Sequence, residues 1–229
     1  MSLPVAGLPV EVYRTYDSRQ RNQSGDFGYG WELSIGGPSV SISTDLGEDW
    51  GTEKRTTLGV PMYYWTNVHP HEVYIDWGNG STETFEFVLS PEKTVNANNW
   101  SDLTACFRNT SGTSDTLQIL DECTGLIYAD NALYTSDLQM FEPQRFLLTR
   151  YDGIKFYFDV ETGLYKIEDT YGRTIEITEN GIEDSDGGSI DFVRNSNGQI
   201  TSIEDGLGNE VMYTYNENGD LVSVVDTAG

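Results

Sequence analysis

Basic residues are scarce in this chain: 13 Lys and Arg stand against 37 Asp and Glu, a formal charge of −24. Such a field repels phosphate backbones and anionic lipid surfaces, both of which need a basic footprint, so nucleic acid is excluded as a partner. Long apolar runs are also missing. The longest, Val60 to Trp65, falls far short of the roughly 20 residues that span a bilayer, and no membrane insertion is expected. No window repeats apolar residues at intervals of three and four for more than two turns, so little helix is expected. The amino terminus, Met1-Ser2-Leu3-Pro4-Val5, has neither a basic start nor an apolar core of the secretory kind, which places any export signal outside this sequence.

Cysteine is nearly absent. Cys106 and Cys123 are the two present, and alone they match no metal-site spacing, which leaves either one disulfide or two buried thiols. The turn-like run Asn109 to Ser114 between them allows a hairpin to bring them together. Gly-x-Ser-x-Gly, the P-loop lysine motif and His-Glu-x-x-His are all missing, so the common hydrolase and nucleotide signatures are excluded and neither enzymatic activity nor a cofactor is expected.

What is present favours strands. The 14 Tyr, 9 Phe and 5 Trp, with 24 Gly along the whole length, suit pleated, half-buried strands broken by glycine turns. The last third repeats one hairpin. Val211 to Tyr215 alternates, meets Asn218-Gly219 and returns through Leu221 to Asp226; Ser189 to Arg194 does the same through Asn197-Gly198 into Ile200 to Asp205. Earlier copies run Arg173 to Glu179 through Asn180-Gly181 and Lys155 to Glu161 through Thr162-Gly163. The turn glycines are therefore Gly163, Gly181, Gly198 and Gly219, and Asn-Gly predicts type I′ turns with positive φ at both residues. A second series after acidic residues, Gly153, Gly172, Gly188, Gly208 and Gly229, marks the outer turns.

The middle of the chain is strand-like without a defensible repeat. Its best element is a hairpin, Glu72 to Trp77 and Ser81 to Val88 around Gly78-Asn79-Gly80, which places Phe85 and Phe87 on one face. His69 and His71 flank Pro70 near Glu72 and Asp76; two imidazoles on one side of an extended segment suggest a metal, but no third ligand has diagnostic spacing, and a loop entering a strand is expected instead. Glu183 to Gly187 and Asn216 to Asp220 have the acidity of calcium loops without their ligand order, which makes solvated turns of them. Tyr63-Tyr64-Trp65 with Trp50, Trp77 and Trp100 offers either core packing or a sugar-stacking platform.

Two motifs carry a family resemblance. Arg14-Thr15-Tyr16-Asp17-Ser18 followed by Gly25-Asp26-Phe27-Gly28-Tyr29-Gly30-Trp31 resembles the opening of bacterial Rhs-repeat proteins. Tyr213-x-Tyr215-Asn216-x-x-Gly219-x-Leu221 resembles the YD repeat, with Asn in the Asp position. The resemblance implies an all-β fold of consecutive antiparallel hairpins in a continuous coiling sheet, an incomplete shell of the kind built by Rhs toxins and teneurin-like proteins. It divides the chain into an opening segment over residues 1–35, a divergent β region over 36–149 and hairpin repeats over 150–229, within one structural unit.

The function so implied is a non-catalytic scaffold, secreted or at the cell surface, that encloses or presents another part of a larger parent chain, a C-terminal toxin among the candidates. There is no Asp-Pro dipeptide, so the family's self-cleaving motif is not here, and the chain reads as an amino-terminal segment of something larger. The alternative is a carbohydrate-binding or adhesion module with a glycan as partner. More distant is a glycoside hydrolase, whose paired carboxylates sequence cannot place. If the parent is exported, Cys106 and Cys123 are expected to pair, and Trp31 is expected to be buried over Gly25, Gly28 and Gly30.

Overall fold

The computed structural model describes residues 2–5, 8–95 and 100–226. They form an all-β protein with antiparallel sheets. Among the described residues there is no α-helix, only a 3₁₀ turn at Ser18–Gln20, whose cap Asp17 accepts the Arg19 amide at 2.9 Å. The chain forms two compact units, one made of residues 1–37 and 165–229 and the other of residues 38–164.

In the first unit the repeats form a run of strands that pair in strict chain order. Gly163–Glu168, Thr174–Thr178, Gly181–Asp184, Ser189–Arg194, Ile200–Asp205, Glu210–Tyr215 and Leu221–Asp226 each join the next antiparallel. Alternation sends every second side chain to one face. Ile167, Ile175, Ile182, Ile190, Phe192, Ile200 and Ile203 are all buried there. They also oppose one another across the strands, as in Ile167 with Ile175, Ile182 with Ile190 and Phe192 with Ile203. A one-residue slip would turn this row outward, so the row fixes the register. Leu221–Asp226 ends the run, and Val222, Val224 and Val225 on it are exposed.

The opening segment supplies a three-stranded sheet in the order Ser2–Val5, Leu8–Tyr16, Trp31–Ile35, with Tyr16 opposite Trp31. Between its last two strands lies the short ribbon of Ser24–Gly25 and Gly28–Tyr29.

The second unit holds the divergent middle. One sheet runs Thr104–Asn109, Thr82–Ser90, Glu72–Asp76, Ser39–Ile42; another runs Lys93–Thr94, Val60–Asn67, Trp50–Thr57. Thr116–Ile119, Arg145–Thr149 and Lys155–Asp159 pair in succession. The expected Gly78-Asn79-Gly80 hairpin is present, with Asp76 opposite Thr82 and the Trp77 amide bonded to the Ser81 carbonyl at 3.0 Å. Phe85 and Phe87 share the buried face with Leu89, and Phe87 contacts Phe107, which contacts Phe146 in turn.

Candidate functional site: the repeat turns and the docked opening segment

The repeat strands are joined by one five-residue turn used five times: Asp169 to Arg173, Asp184 to Gly188, Asn195 to Gln199, Asp205 to Asn209 and Asn216 to Asp220. In each, the first amide bonds the fifth carbonyl at 2.8–3.0 Å and the amide of the fourth residue bonds the first carbonyl at 2.8–3.1 Å. The first side chain, Asp or Asn, accepts the third residue's amide through Oδ1 every time, at 2.8–3.0 Å. The fourth residue is Gly172, Gly187, Gly198, Gly208 or Gly219, each with φ between +81° and +95°. This is the three-residue hairpin loop in which a left-handed glycine follows a tight turn, and a short Asx side chain at its start replaces a backbone acceptor.

The sequence expectation of type I′ turns is therefore corrected: Asn197 and Asn218 do not adopt positive φ, and only the glycine after them does. The outer turns use the same frame as the inner ones, and the third outer turn pivots on Gly187 instead of Gly188. Gly229 lies outside the described residues. Two inner turns differ. Before Gly163, at φ +84°, Asp159 accepts the amides of Glu161 and Thr162. Gly181 follows a two-residue loop opposite Thr178, where a Cβ would lie 2.4 Å from the Ile190 carbonyl oxygen.

The acidity that suggested calcium loops is consumed by these turns. Oδ1 of Asp184 and of Asn216 is occupied by the chain's own amides. Among the described residues no group of three or more His, Cys, Asp or Glu is placed to hold a metal ion. His69 and His71 do not face one way either. His69 is exposed, whereas His71 is buried, stacked on Trp50 at 4.6 Å, with Nε2 2.7 Å from the Glu48 carbonyl and Nδ1 3.2 Å from the Asn67 amide. Burial holds the His71 imidazole below its ordinary pKa.

The opening motif and the repeat motif meet in space. Asp26 forms an ion pair with Arg194 at 2.7 Å, its carbonyl accepts the Ile200 amide at 2.8 Å, and its Oδ2 takes the Leu33 amide at 3.0 Å. Phe27, 1% exposed, packs on Tyr213 with ring centroids 4.7 Å apart. The Gln199 amide, buried, donates to the Gly219 carbonyl at 2.8 Å and thereby ties one turn to the next. Arg14 lies over Trp31 at 4.9 Å and over Tyr213 at 5.7 Å. The Tyr215 hydroxyl donates to the Ile200 carbonyl, and its pKa is pushed up to about 12, first by burial and then by the neighbouring Tyr213.

Trp31 is not the buried anchor expected of it. It is half-buried against the exposed Tyr16, because the ribbon turns Phe27 inward and leaves Trp31 on the outer side beneath Arg14.

Residues 194–229 match the family model described as RHS Repeat, a segment containing the Asn195 and Asn216 turns. This part of the chain is similar to an RHS repeat. A comparison with the curated proteins finds no match. Arg194 and Ile200, the two partners of Asp26, lie within the matched residues, so the opening segment docks on the very part of the chain that carries the repeat pattern.

In the second unit the aromatic residues mostly pack on one another. Trp65 contacts Trp50, Trp100 and Tyr128 edge-on, Tyr63 contacts Trp100, and Trp77 sits apart against Phe156. Beside them a cleft of about 220 Å³ is lined by Tyr64, Trp65, Asn67, Glu86, Glu92 and Arg108 among others. Arg108 bridges Glu86 at 2.9 Å and Glu92 at 2.7 Å there.

Cys106 is exposed and Cys123 half-buried, and both are thiols. The Ala105 amide donates to the Cys123 carbonyl at 2.8 Å, so the two cysteines lie on neighbouring segments. Burial pushes both thiols above their ordinary pKa.

Proposed function

We propose that the chain is a non-catalytic structural scaffold, one segment of an Rhs/YD-repeat shell that encloses or presents another part of a larger secreted or surface protein, with a toxin as one such cargo. The observation that carries this reading is the wiring of the repeat sheet. Strands pair only in chain order, the five three-residue loops are each closed by their own Asx side chain, and the opening segment is bolted to the repeats. Such a sheet spends its polar groups on holding itself together and can be lengthened hairpin by hairpin. Limited proteolysis of the parent polypeptide tests the proposal. The segment it encloses should survive while this sheet is intact and become cleavable once the sheet is opened by substitution. Equal cleavage in both states would contradict enclosure.

A second reading, a glycan-binding module, draws on the cleft of about 220 Å³ with its Trp65 wall and its Arg108, Glu86 and Glu92 rim. Aromatic rings beside fixed polar groups suit a sugar. Glycan-array binding that disappears in Trp65→Ala would favour it over a purely structural role.

A further inference from the structure

Four Asn-Gly pairs occur in the chain, at Asn79-Gly80, Asn180-Gly181, Asn197-Gly198 and Asn218-Gly219. In three of them the fold restrains the glycine. The Gly198 amide donates to the Asn195 carbonyl and the Gly219 amide to the Asn216 carbonyl, both at 3.0 Å. Gly181 is buried at the start of the strand Gly181–Asp184, opposite Thr178 on one side and Asp191 on the other. Asn79-Gly80, in the second unit, is held differently.

The loop from Trp77 to Ser81 begins like the five repeat turns, with the Trp77 amide on the Ser81 carbonyl at 3.0 Å. It lacks their second bond, for among the described residues the Gly80 amide has no hydrogen-bond acceptor. Gly80 has φ +87° with nothing within 4 Å of the position a Cβ would take, and Asn79 and Gly80 are both exposed, so water reaches them. The Asn79 side chain, in contrast, is fixed. Its Oδ1 accepts the Ser81 amide at 3.0 Å and the Ser81 hydroxyl at 2.5 Å. The Asx bond closes a ring of atoms that includes both Cγ of Asn79 and the Gly80 nitrogen, which keeps an electrophile and a nucleophile within one short loop. Two donors on one carbonyl oxygen also favour negative charge developing there.

We propose that Asn79 is a spontaneous modification site, at which the Gly80 nitrogen closes on Cγ of Asn79 while Ser81 stabilises the charge that develops on Oδ1. The Gly80 amide gives its proton to hydroxide as its nitrogen bonds Cγ. The Cγ–Nδ2 bond then breaks, and ammonia leaves with a proton taken from water. Water opens the resulting succinimide at either carbonyl, giving an aspartate or an isoaspartate at this position, with no oxidation or reduction. Either product adds a negative charge to a loop that already holds Asp76, whose Oδ1 accepts the Gly78 amide at 2.8 Å. The isoaspartate also lengthens the loop by one backbone atom and loads the Trp77 to Ser81 bond that closes it. Because ammonia is lost to solvent the change is one-way, and it marks the age of the folded chain at this hairpin.

Peptide mapping of the intact protein after ageing in mildly alkaline buffer tests the site, with electron-transfer fragmentation separating aspartate from isoaspartate. In the folded protein Asn79 is expected to convert about tenfold faster than Asn197 or Asn218, the worth of one retained amide hydrogen bond. In urea, where every loop is lost, the four pairs should convert at similar rates. Ser81→Ala removes the hydroxyl donor and is expected to slow Asn79 several-fold while the other three rates stay as they were. Conversion of Asn197 or Asn218 as fast as Asn79 in the folded protein, or an Asn79 rate unchanged by Ser81→Ala, would overturn the proposal. So would a ranking that persists in urea, since it would then belong to the sequence and not to the loop. Should Ser81→Ala fail to fold, the wild-type rates in the folded and urea-unfolded protein decide alone.

Discussion

Gly28 faces the carbonyl oxygen of Gly219 so closely that a Cβ on Gly28 would lie 2.6 Å from it. One glycine belongs to the opening motif and the other to the last repeat turn. Their approach lets the Asp26 carbonyl reach the Ile200 amide and Phe27 reach Tyr213. Gly28 also has φ +94°, which an L side chain rarely adopts.

Gly28→Ala combines a clash against backbone with that strain and should cost about 2 to 4 kcal/mol. Gly172→Ala has a similar φ of +83° with nothing within 4 Å, and should cost only about 1 kcal/mol. Urea denaturation of the two variants checks this. Equal losses would mean that the close approach to Gly219 is not a real constraint.

Phe27→Ala should be the most damaging aromatic truncation in the first unit, at about 3 to 5 kcal/mol, because it empties a fully buried site. Trp31→Ala, at a half-buried ring under Arg14, should cost less. The reverse order of thermal midpoints would restore Trp31 as the anchor.

The turn carboxylates predict a pH trend of defined sign. The Asn209 side-chain amide, followed by backbone amides, holds Asp205 below its ordinary pKa. A lowered carboxyl contributes stability above its unfolded pKa of about 3.9 and loses it as pH falls through the folded value. Asp205→Asn keeps the Oδ1 acceptor and loses the charge. Wild type should therefore exceed the variant in denaturation midpoint at neutral pH, and the gap should close in acid. A gap that widens on acidification would contradict the assignment.

Much of this was legible in the sequence, for identifiable reasons. The alternation of Ile175, Ile177, Ile182 and Ile190 gave away the repeat strands, and glycine marked the turns. The turn type was misjudged because Asn-Gly in isolation favours type I′. The deciding residue sits three places before the glycine, as in Asn195 for Gly198 and Asp205 for Gly208, a signal present in the sequence at each of the five three-residue loops and absent before Gly163 and Gly181. The Asp26 to Arg194 link was not legible, since it joins residues far apart in the chain with no local pattern. Trp31 was overrated because ring size alone does not say which side of a ribbon faces inward.

The thiols yield a prediction tied to compartment. Cys106 and Cys123 lie on neighbouring segments, and protein recovered from an oxidising compartment should carry them as a disulfide, a loop closure worth about 3 kcal/mol. Mass spectrometry after alkylation without reduction checks it. Full alkylation of both thiols in exported protein would contradict the pairing.

The opening segment and the repeat hairpins brace one another, and the amide of Ile200 reports on this directly, since its acceptor is the carbonyl of Asp26. Native-state hydrogen exchange should find this amide protected as strongly as that of Ile203 in the buried row, and protection at Ile200 should collapse when residues 1–37 are removed. Exchange at an unprotected rate in the intact chain, or protection that survives the removal, would contradict the account.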